Sequence, residues 1–221
     1  MRAAVLFSGG KDSCLALHLA KLKGHDVKYL LSIIPKSKDS WMFHKPDLGL
    51  LEKQTEMLDI DLLVMESGGK KDEEVEDLKK LVEKVVGRVD VIVVGGIASS
   101  YQGKRIKKIC GELGLEFYAP LWDFEGERVW GLLLKEGFEV IISKISCEGL
   151  PREWLGKVIG KKELQELKKE SEKHGFRIDF EGGEAETAVL FMPEFKKHIK
   201  IRFDIKSEGK YRHFLDVKGV R

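Results

Sequence analysis

The hexapeptide Ser8–Ser13, which reads SGGKDS, constrains the fold of this chain more than any other feature. It follows a short apolar run, Ala3–Phe7, that is typical of a buried strand, and it opens an amphipathic stretch, Lys11–Leu22, that is typical of a helix. In such a strand–turn–helix unit, backbone N–H groups can close around an anion, and the positive end of the helix dipole points the same way. The hexapeptide therefore predicts a phosphate site.

The side chains of the hexapeptide suit the same ligand. Ser8 and Ser13 add hydroxyl donors, Lys11 adds a mobile positive charge, and Asp12 can hold a magnesium ion or its water shell. The Walker pattern fails because aspartate follows Lys11 and the upstream glycine is missing, and the Rossmann pattern G-x-G-x-x-G fails too.

A second Ser-Gly-Gly segment, Ser67–Asp72, also follows an apolar run. Its position equivalent to Ser13 is Glu73, and further acids follow. Acids in the first turn of a helix satisfy the helix dipole themselves and repel phosphate. We predict a capped helix start here and no phosphate site.

Composition limits the class of protein. The chain has 221 residues with a net charge of +2, and no apolar stretch approaches the roughly 20 residues of a membrane span. Cys14, Cys110 and Cys147 stand alone without a C-x-x-C pair, which argues against disulfides and zinc and favours small buried side chains in a reducing cytosol. With no signal peptide visible, we expect a cytoplasmic protein. The absence of asparagine beside abundant Lys and Glu suggests a heat-adapted organism.

Apolar runs and helical stretches alternate along most of the chain, which predicts an α/β fold with a doubly wound, mainly parallel sheet. The pattern changes near Glu148–Arg152, so we expect domains at residues 1–148 and 149–221, the second a smaller C-terminal lobe that closes over the nucleotide. The predicted strands are Ala3–Phe7, Val27–Ile34, Leu62–Met65, Val89–Val94, Val140–Ile145, Ile199–Ile205 and Phe214–Val217, and the predicted helices are Lys11–Lys23, Asp47–Leu58, Glu73–Val86, Tyr101–Leu113, Glu127–Lys135 and Lys161–Lys173.

The C-terminal segment Phe195–Arg221 is basic, with nine Lys or Arg against three acids. It can meet RNA or an acidic protein surface, but a solvated face is the commoner origin of such a segment. We expect no stable binding of nucleic acid, and a homodimer is left open.

The phosphate segment resembles the PP-loop of the N-type ATP pyrophosphatases, which cut ATP between the α and β phosphates. Three further segments, residues 95–102, 120–122 and 180–187, extend the likeness. Together they resemble the diphthine–ammonia ligase family and its archaeal relatives, from Met1 to about Pro193. The resemblance implies an adenine nucleotide alpha hydrolase-like fold.

The resemblance also implies a reaction. ATP adenylates a carboxylate, pyrophosphate leaves, and ammonia attacks the acyl-adenylate to give an amide and AMP. In the family the carboxylate belongs to diphthine, a modified histidine on translation elongation factor 2. ATP and Mg²⁺ are then the cofactors, and ammonium and elongation factor 2 the partners.

Site residues follow from the resemblance together with the pattern. Three roles stay open for the acidic segment, which can orient ammonium, bind a second magnesium ion or hold the trimethylamino group of diphthine, and a solvated hairpin turn is the alternative to all three. The alternative for His44 is a packed side chain, and for Arg105 a surface side chain. Candidates for ATP and pyrophosphate are Ser8, Gly9, Gly10, Lys11, Asp12, Ser13, Ile33, His44, Gly95, Gly96, Tyr101, Gln102 and Arg105, with Asp12 on the metal; those for the acceptor are Glu181, Gly182, Gly183, Glu184, Glu186 and Thr187; and the catalytic candidates are Lys11, Asp12, Glu184 and Glu186.

The chain also departs from the family pattern. The pattern has a small residue at Gly96, an acid at Ser100, a glutamate at Lys107, an aromatic residue at Ala185 and an aspartate at Phe191. These changes bear on the acceptor more than on the phosphate site. Alternatives therefore stay open: a PP-loop enzyme for another carboxylate such as a corrinoid-related one, a tRNA-modifying PP-loop enzyme, or an ATP sensor without turnover.

Overall fold

The structure, a computed structural model, describes residues 1–35, 47–68, 71–96 and 100–221, with the side chains of residues 71, 72 and 100–102 left out. The contacts of the Cα atoms divide the chain into two compact units. The first holds Met1–Ser8 and Asp12–Trp122, and the second holds Gly9–Lys11 and Asp123–Arg221. The middle of the phosphate loop therefore belongs with the C-terminal part of the chain.

The first unit alternates strands and helices. Its elements are β1 (Arg2–Leu6), α1 (Lys11–Leu22), β2 (Asp26–Pro35), α2 (Leu48–Leu58), β3 (Asp61–Ser67), α3 (Lys71–Glu83), β4 (Val91–Val93), α4 (Ser100–Glu112) and β5 (Glu116–Tyr118). The strands form a parallel sheet in the order β3-β2-β1-β4-β5, so the chain adds strands on both sides of β1. This doubly wound order confirms the predicted fold class.

The core on one face of this sheet explains the apolar runs. Ala4 of β1, Leu31 and Ile33 of β2 and Ile92 of β4 pack with apolar residues of α3 and α4. Alternate residues of these strands, such as Ala3 and Val5, are also buried. A strand that is covered on both faces needs apolar residues at every position, which is the pattern in the sequence.

The second unit contains an antiparallel sheet. Its elements are α5 (Gly126–Lys135), β6 (Glu139–Ile145), a 3-10 turn (Arg152–Trp154), α6 (Lys161–His174), β7 (Ala185–Phe191), β8 (Ile201–Ser207) and β9 (His213–Val220). The strand order is β7-β6-β9-β8. An ion pair of 2.6 Å between Lys168 of α6 and Glu127 of α5 joins the two helices.

The unit division differs from the boundary predicted after residue 148. The run Val140–Ile145, predicted with the parallel sheet, lies in β6 and pairs antiparallel with β7. A buried apolar run satisfies either kind of sheet, so its composition cannot reveal its neighbours. β5 and β7 were not predicted, because β5 has only three residues and the acids Glu184 and Glu186 obscure the start of β7.

Helix boundaries lie close to the prediction for local reasons. The Asp47 carboxylate accepts a hydrogen bond of 2.9 Å from the Leu50 N–H and so caps α2. Gly175, with φ of 75°, ends α6. Across the four described ranges, helices fall short of the length and apolar character that crossing a bilayer requires.

Candidate functional site

The two ends of the phosphate loop lie in the first unit, at the carboxyl end of β1 and the start of α1. The Ser8 and Ser13 hydroxyl oxygens are 3.2 Å apart, and the Ser8 N–H donates to Ser13 Oγ at 3.3 Å. Asp12 stands in the first turn of α1, where helix N–H groups have no partner within the helix. The loop therefore gathers two hydroxyl groups, a carboxylate and a helix N-terminus, as predicted for a phosphate site.

The turn after β4 touches this helix N-terminus. A Cβ atom built on Gly95 would lie 2.6 Å from both the Asp12 carbonyl carbon and the Ser13 nitrogen. Real Cβ contacts are essentially never shorter than 3.0 Å, so only glycine permits this approach. Among the described residues, a Cβ atom on Gly96 would meet Val94 Cγ1 alone, at 3.9 Å. The structure thus brings Gly95 to the loop, and steric demand explains Gly95 but not Gly96.

The middle of the loop lies in the second unit, beside β7. The Val189 N–H donates to the Gly9 carbonyl and the Lys11 N–H donates to Thr187 Oγ1, each at 3.1 Å. Lys11 Nζ donates to the Asp179 carbonyl at 2.6 Å, and only 2% of the Lys11 side chain is exposed. Lys11 is therefore a buried cation, which corrects the expectation of a mobile one.

A tight turn holds the Asp179 carbonyl. Phe180 has φ of 64°, in the left-handed region that a bulky residue rarely adopts. The Asp179 carboxylate accepts two hydrogen bonds from Arg177, at 2.9 and 2.6 Å, and one from the Glu181 N–H at 3.0 Å. Burial acts to raise the pKa of Asp179, but these hydrogen bonds and the charges of Arg177 and Lys11 outweigh it and hold the pKa below its ordinary value.

Two of the predicted acceptor carboxylates have different surroundings. The Glu186 carboxylate pairs with Lys144 Nζ at 2.7 Å. Glu184 Oε1 accepts from the Arg177 N–H at 3.2 Å, whereas Glu184 Oε2 is buried and makes no hydrogen bond within the described ranges. Burial and the negative charge of Glu184 raise the pKa of the nearby Cys147 thiol. Glu184 therefore keeps an oxygen for a donor that the described residues do not supply.

The glycines of the acidic segment have separate roles. Gly183 has φ of 83°, which favours glycine. A Cβ atom on Gly182 would lie 2.5 Å from Glu184 Oε1, so this glycine leaves room for the carboxylate. The segment is thus a shaped turn leading into β7.

The second Ser-Gly-Gly segment is described only in part. β3 ends at Ser67, and a Cβ atom on Gly68 would lie 2.7 Å from Glu73 Oε2. The Glu73 carboxylate therefore lies beside Gly68, where its negative charge disfavours phosphate, and the absence of a phosphate site here stays a prediction.

The remaining predicted residues lie in β2 and α4 or outside the description. Ile33 is a core residue of β2 with 5% exposure, and Arg105 is partly buried on α4. Tyr101 and Gln102 lie in the first turn of α4, but their side chains are outside the description, and His44 lies outside the described residues. The predicted contacts of these residues with ATP stay predictions.

Three residues near the site were missed by sequence reasoning: Asp179, Arg177 and Lys144. Arg177 and Asp179 precede the acidic segment by a few residues, and their i, i+2 spacing with opposite charges was the available signal. No pattern in the sequence indicated a role for Lys144, because its partner Glu186 is distant in sequence and meets it only through the pairing of β6 with β7.

The structure describes the side chains at three of the departures from the family pattern, Ala185, Lys107 and Phe191. Ala185 is buried opposite Ile145, and Lys107 is exposed. The Phe191 ring stacks on His198 with centroids 3.9 Å apart, and His198 Nδ1 lies 3.0 Å from Glu139 Oε2. An apolar ring in place of the family's aspartate therefore belongs to a local stack.

The residues around Asp12 fit the donor set of a magnesium ion bound to a nucleotide. Within the described ranges, no three His, Cys, Asp or Glu side chains surround a common point. Magnesium in nucleotide enzymes typically needs only one or two carboxylates, with substrate phosphates and water supplying the rest. The Asp12 carboxylate, with one oxygen buried beside the helix N-terminus, fits that donor set.

Comparison with known proteins adds independent evidence. Sequence models of the diphthamide synthase N-terminal and C-terminal domains match residues 1–117 and 128–220. The chain is 32% identical to the diphthine–ammonia ligase of Rattus norvegicus, covering 91% of this chain and 83% of that protein. It is 33% identical to the ligase of Danio rerio, covering 91% and 86%.

Two further proteins are similar to this chain, one over a small part of its own length and one with low similarity in structure. The chain is 32% identical to the diphthine–ammonia ligase of Schizosaccharomyces pombe over 90% of its length but spans 36% of that protein. A solved structure, a tRNA methyltransferase subunit by its description, from Methanocaldococcus jannaschii, has a TM-score of 0.47 and 19% identity, covering 87% of this chain and 98% of that chain. That last likeness is too low to carry any argument. On the domain matches and the vertebrate relatives, the chain belongs to the diphthine–ammonia ligase family.

Proposed function

We propose that this protein is an ATP-dependent ligase that activates the carboxylate of diphthine with ATP and converts it to the amide with ammonia. The observation that carries the proposal is the phosphate loop, Ser8–Ser13, at the end of β1 in a chain of this family. The names of the relatives do not favour a tRNA-modifying enzyme, an ATP sensor or an enzyme for another carboxylate.

The loop is proposed to hold the phosphates of ATP and the departing pyrophosphate. Helix N–H groups and the hydroxyls of Ser8 and Ser13 would donate to phosphate oxygens, and Lys11 would supply positive charge next to them. Asp12 would hold Mg²⁺, which neutralises charge on the phosphates when bound. Preorganised donors lower the barrier for making an acyl-adenylate because they stabilise charge that develops on the leaving group.

Glu184 is proposed to face the ammonia. Its Oε2 is buried without a hydrogen bond in the described parts, so an ammonium ion supplies the donor that this oxygen lacks. The same carboxylate can accept the proton that ammonium must lose before it attacks a carbonyl carbon. Glu186, which pairs with Lys144, would support the turn and the acceptor.

The acceptor is proposed to be diphthine on translation elongation factor 2, and the working compartment is the cytoplasm of a heat-adapted organism. Support for the compartment comes from Cys14 and Cys110, which are buried thiols outside any disulfide. Support for heat adaptation comes from the absence of asparagine. The homodimer stays a prediction.

The test is product analysis with ATP, Mg²⁺, ammonium and elongation factor 2 that carries diphthine. We expect AMP, pyrophosphate and the amide in equal amounts, and Asp12→Ala should lower the rate about 100-fold or more. Glu73→Ala, in the second Ser-Gly-Gly segment, is the matched control and should leave the rate unchanged. ADP and phosphate as products, or equal losses in both variants, would refute the assignment.

A second arm separates the acceptor from ATP. Glu184→Gln keeps the shape of the side chain and removes its charge, so ATP affinity measured by calorimetry should stay near normal while amide formation is lost. Glu186→Gln, treated the same way, should also spare ATP. If the unmutated protein binds ATP but ignores elongation factor 2, the diphthine assignment is wrong and another carboxylate is the substrate.

A further inference from the structure

We propose that Asp179 is a positioning residue for the phosphate loop: its main-chain carbonyl holds the Lys11 ammonium, and its carboxylate, gripped by Arg177, keeps that carbonyl in place. The inference rests on the proposed function, in which Lys11 serves the phosphates. It adds a role for a segment, Arg177–Glu181, whose paired charges lie just before the turn into β7.

The first step is the contact itself. Lys11 Nζ lies 2.6 Å from the Asp179 carbonyl oxygen, within the short range of hydrogen bonds with a charged donor. With 2% of the side chain exposed, little water competes for this ammonium. The Asp179 carbonyl is therefore one of the groups that hold the charge of Lys11 in place, together with the Phe180 ring, whose centroid is 5.7 Å from Nζ.

The second step is the backbone on either side of that carbonyl. Phe180 keeps φ of 64°, a conformation that persists only where the surroundings impose it. Its ring packs edge-on against Trp130, with centroids 6.3 Å apart at 83°, and Trp130 Nε1 donates to the Ile178 carbonyl at 2.8 Å. One tryptophan of α5 thus fixes both neighbours of Asp179.

The third step is the Asp179 side chain, which is 7% exposed. Its carboxylate accepts two hydrogen bonds from the Arg177 guanidinium and a third from the Glu181 N–H. The carboxylate therefore joins residues on both sides of Asp179 in the turn. A paired guanidinium–carboxylate fork fixes direction as well as distance. If the fork is lost, the contacts of Trp130 remain but the turn loses one of its restraints, so the Asp179 carbonyl is held less firmly toward Lys11.

The experiment uses inorganic pyrophosphate with Mg²⁺ as the probe, titrated into the full chain in a calorimeter. Asp179→Asn removes the charge and one prong of the fork, and we expect pyrophosphate affinity to fall about tenfold, the usual weight of one charged hydrogen bond. Asp90→Asn is the matched control. Asp90 also accepts a fork from Arg2, at 2.6 and 3.3 Å, and a main-chain N–H at 2.8 Å, but it precedes β4 at the end opposite to the loop.

A double-mutant cycle asks whether Asp179 acts through Lys11. In a Lys11→Met background, Asp179→Asn should cause no further loss, because the group that it positions is already gone. Multiplying losses would refute the proposal, and so would an Asp179→Asn variant that binds as Asp90→Asn does. Absent binding by the unmutated chain would overturn it too.

A second variant guards against misfolding. Arg177→Lys keeps the charge of a side chain that is 57% exposed but loses the fork, so it should also weaken pyrophosphate binding. Unchanged binding by Arg177→Lys would overturn the proposal. If pyrophosphate binds and the cycle behaves as expected but no AMP forms with elongation factor 2, the proposed function fails while the positioning role stands.

Discussion

Replacing Gly95 by alanine tests whether the turn after β4 shapes the phosphate loop. The added methyl group would lie 2.6 Å from the Asp12 carbonyl carbon and the Ser13 nitrogen, and 2.7 Å from the Asp12 oxygen. Comfortable contacts between carbon atoms are about 3.5–4.0 Å, so the overlap approaches about 1 Å. All three atoms are backbone atoms, which cannot rotate away as a side chain can.

The expected cost follows from this overlap. Forcing an extra methyl group into a packed site costs typically about 1–3 kcal/mol, because backbone or neighbours must shift. For a chain of this size each kcal/mol lowers the melting temperature by roughly 2–4 °C. Since the displaced atoms form the N-terminus of α1, we also expect weaker binding of pyrophosphate.

The assay is thermal unfolding beside calorimetric titration with pyrophosphate, with Gly111→Ala as the control. Gly111 is an exposed residue of α4, and a Cβ atom built on it meets no described atom within 4 Å outside its own helix, so this variant should melt no lower and bind no more weakly than the unmutated protein. If Gly95→Ala melts and binds as Gly111→Ala does, the turn does not shape the loop and the reasoning from this close approach is wrong.

Two further predictions concern charge. Because the negative charge of Glu184 raises the pKa of the Cys147 thiol, Glu184→Gln should increase the thiolate fraction and speed alkylation of Cys147 by iodoacetamide; Cys110, whose burial raises its pKa to about 11, should react slowly in both proteins, and an unchanged rate at Cys147 would contradict the placement. Hydrogen bonds from Arg2 lower the pKa of Asp90 from 3.8 to about 2, so the folded state gains stability from this carboxylate above pH 3.8 and loses it as the pH falls through about 2. Acid unfolding of Asp90→Asn should show a smaller loss over that interval, and a carboxyl resonance of Asp90 that titrates near its ordinary value would refute it.

The fold of the first unit was readable from the sequence because its signals are local. Apolar runs of a doubly covered sheet, an amphipathic helix after two glycines and an aspartate cap at Asp47 each depend on residues close together in the chain. The sequence also predicts different roles for the two Ser-Gly-Gly segments, and the structure places the Glu73 carboxylate beside Gly68 of the second segment.

The neighbours of β6 could not be predicted. Its apolar run suits a parallel and an antiparallel sheet equally, and only the pairing with β7 decides between them. The environment of Lys11 was likewise hidden, because the Asp179 carbonyl that receives it is 168 positions away in the chain. Every residue type has a main-chain carbonyl oxygen, so the identity of a residue does not show that its carbonyl accepts a hydrogen bond from a distant side chain.

By itself, the sequence determined the chemistry available at the loop: hydroxyls, an ammonium and a carboxylate at the start of a helix. The tertiary structure decided the surroundings of the charged groups, since it buries Lys11 against a carbonyl, pairs Glu186 with Lys144 and leaves Glu184 Oε2 without a hydrogen bond from any described residue. The physical reason is that burial and charge pairing depend on which distant segments meet, and residue identity alone does not specify those meetings.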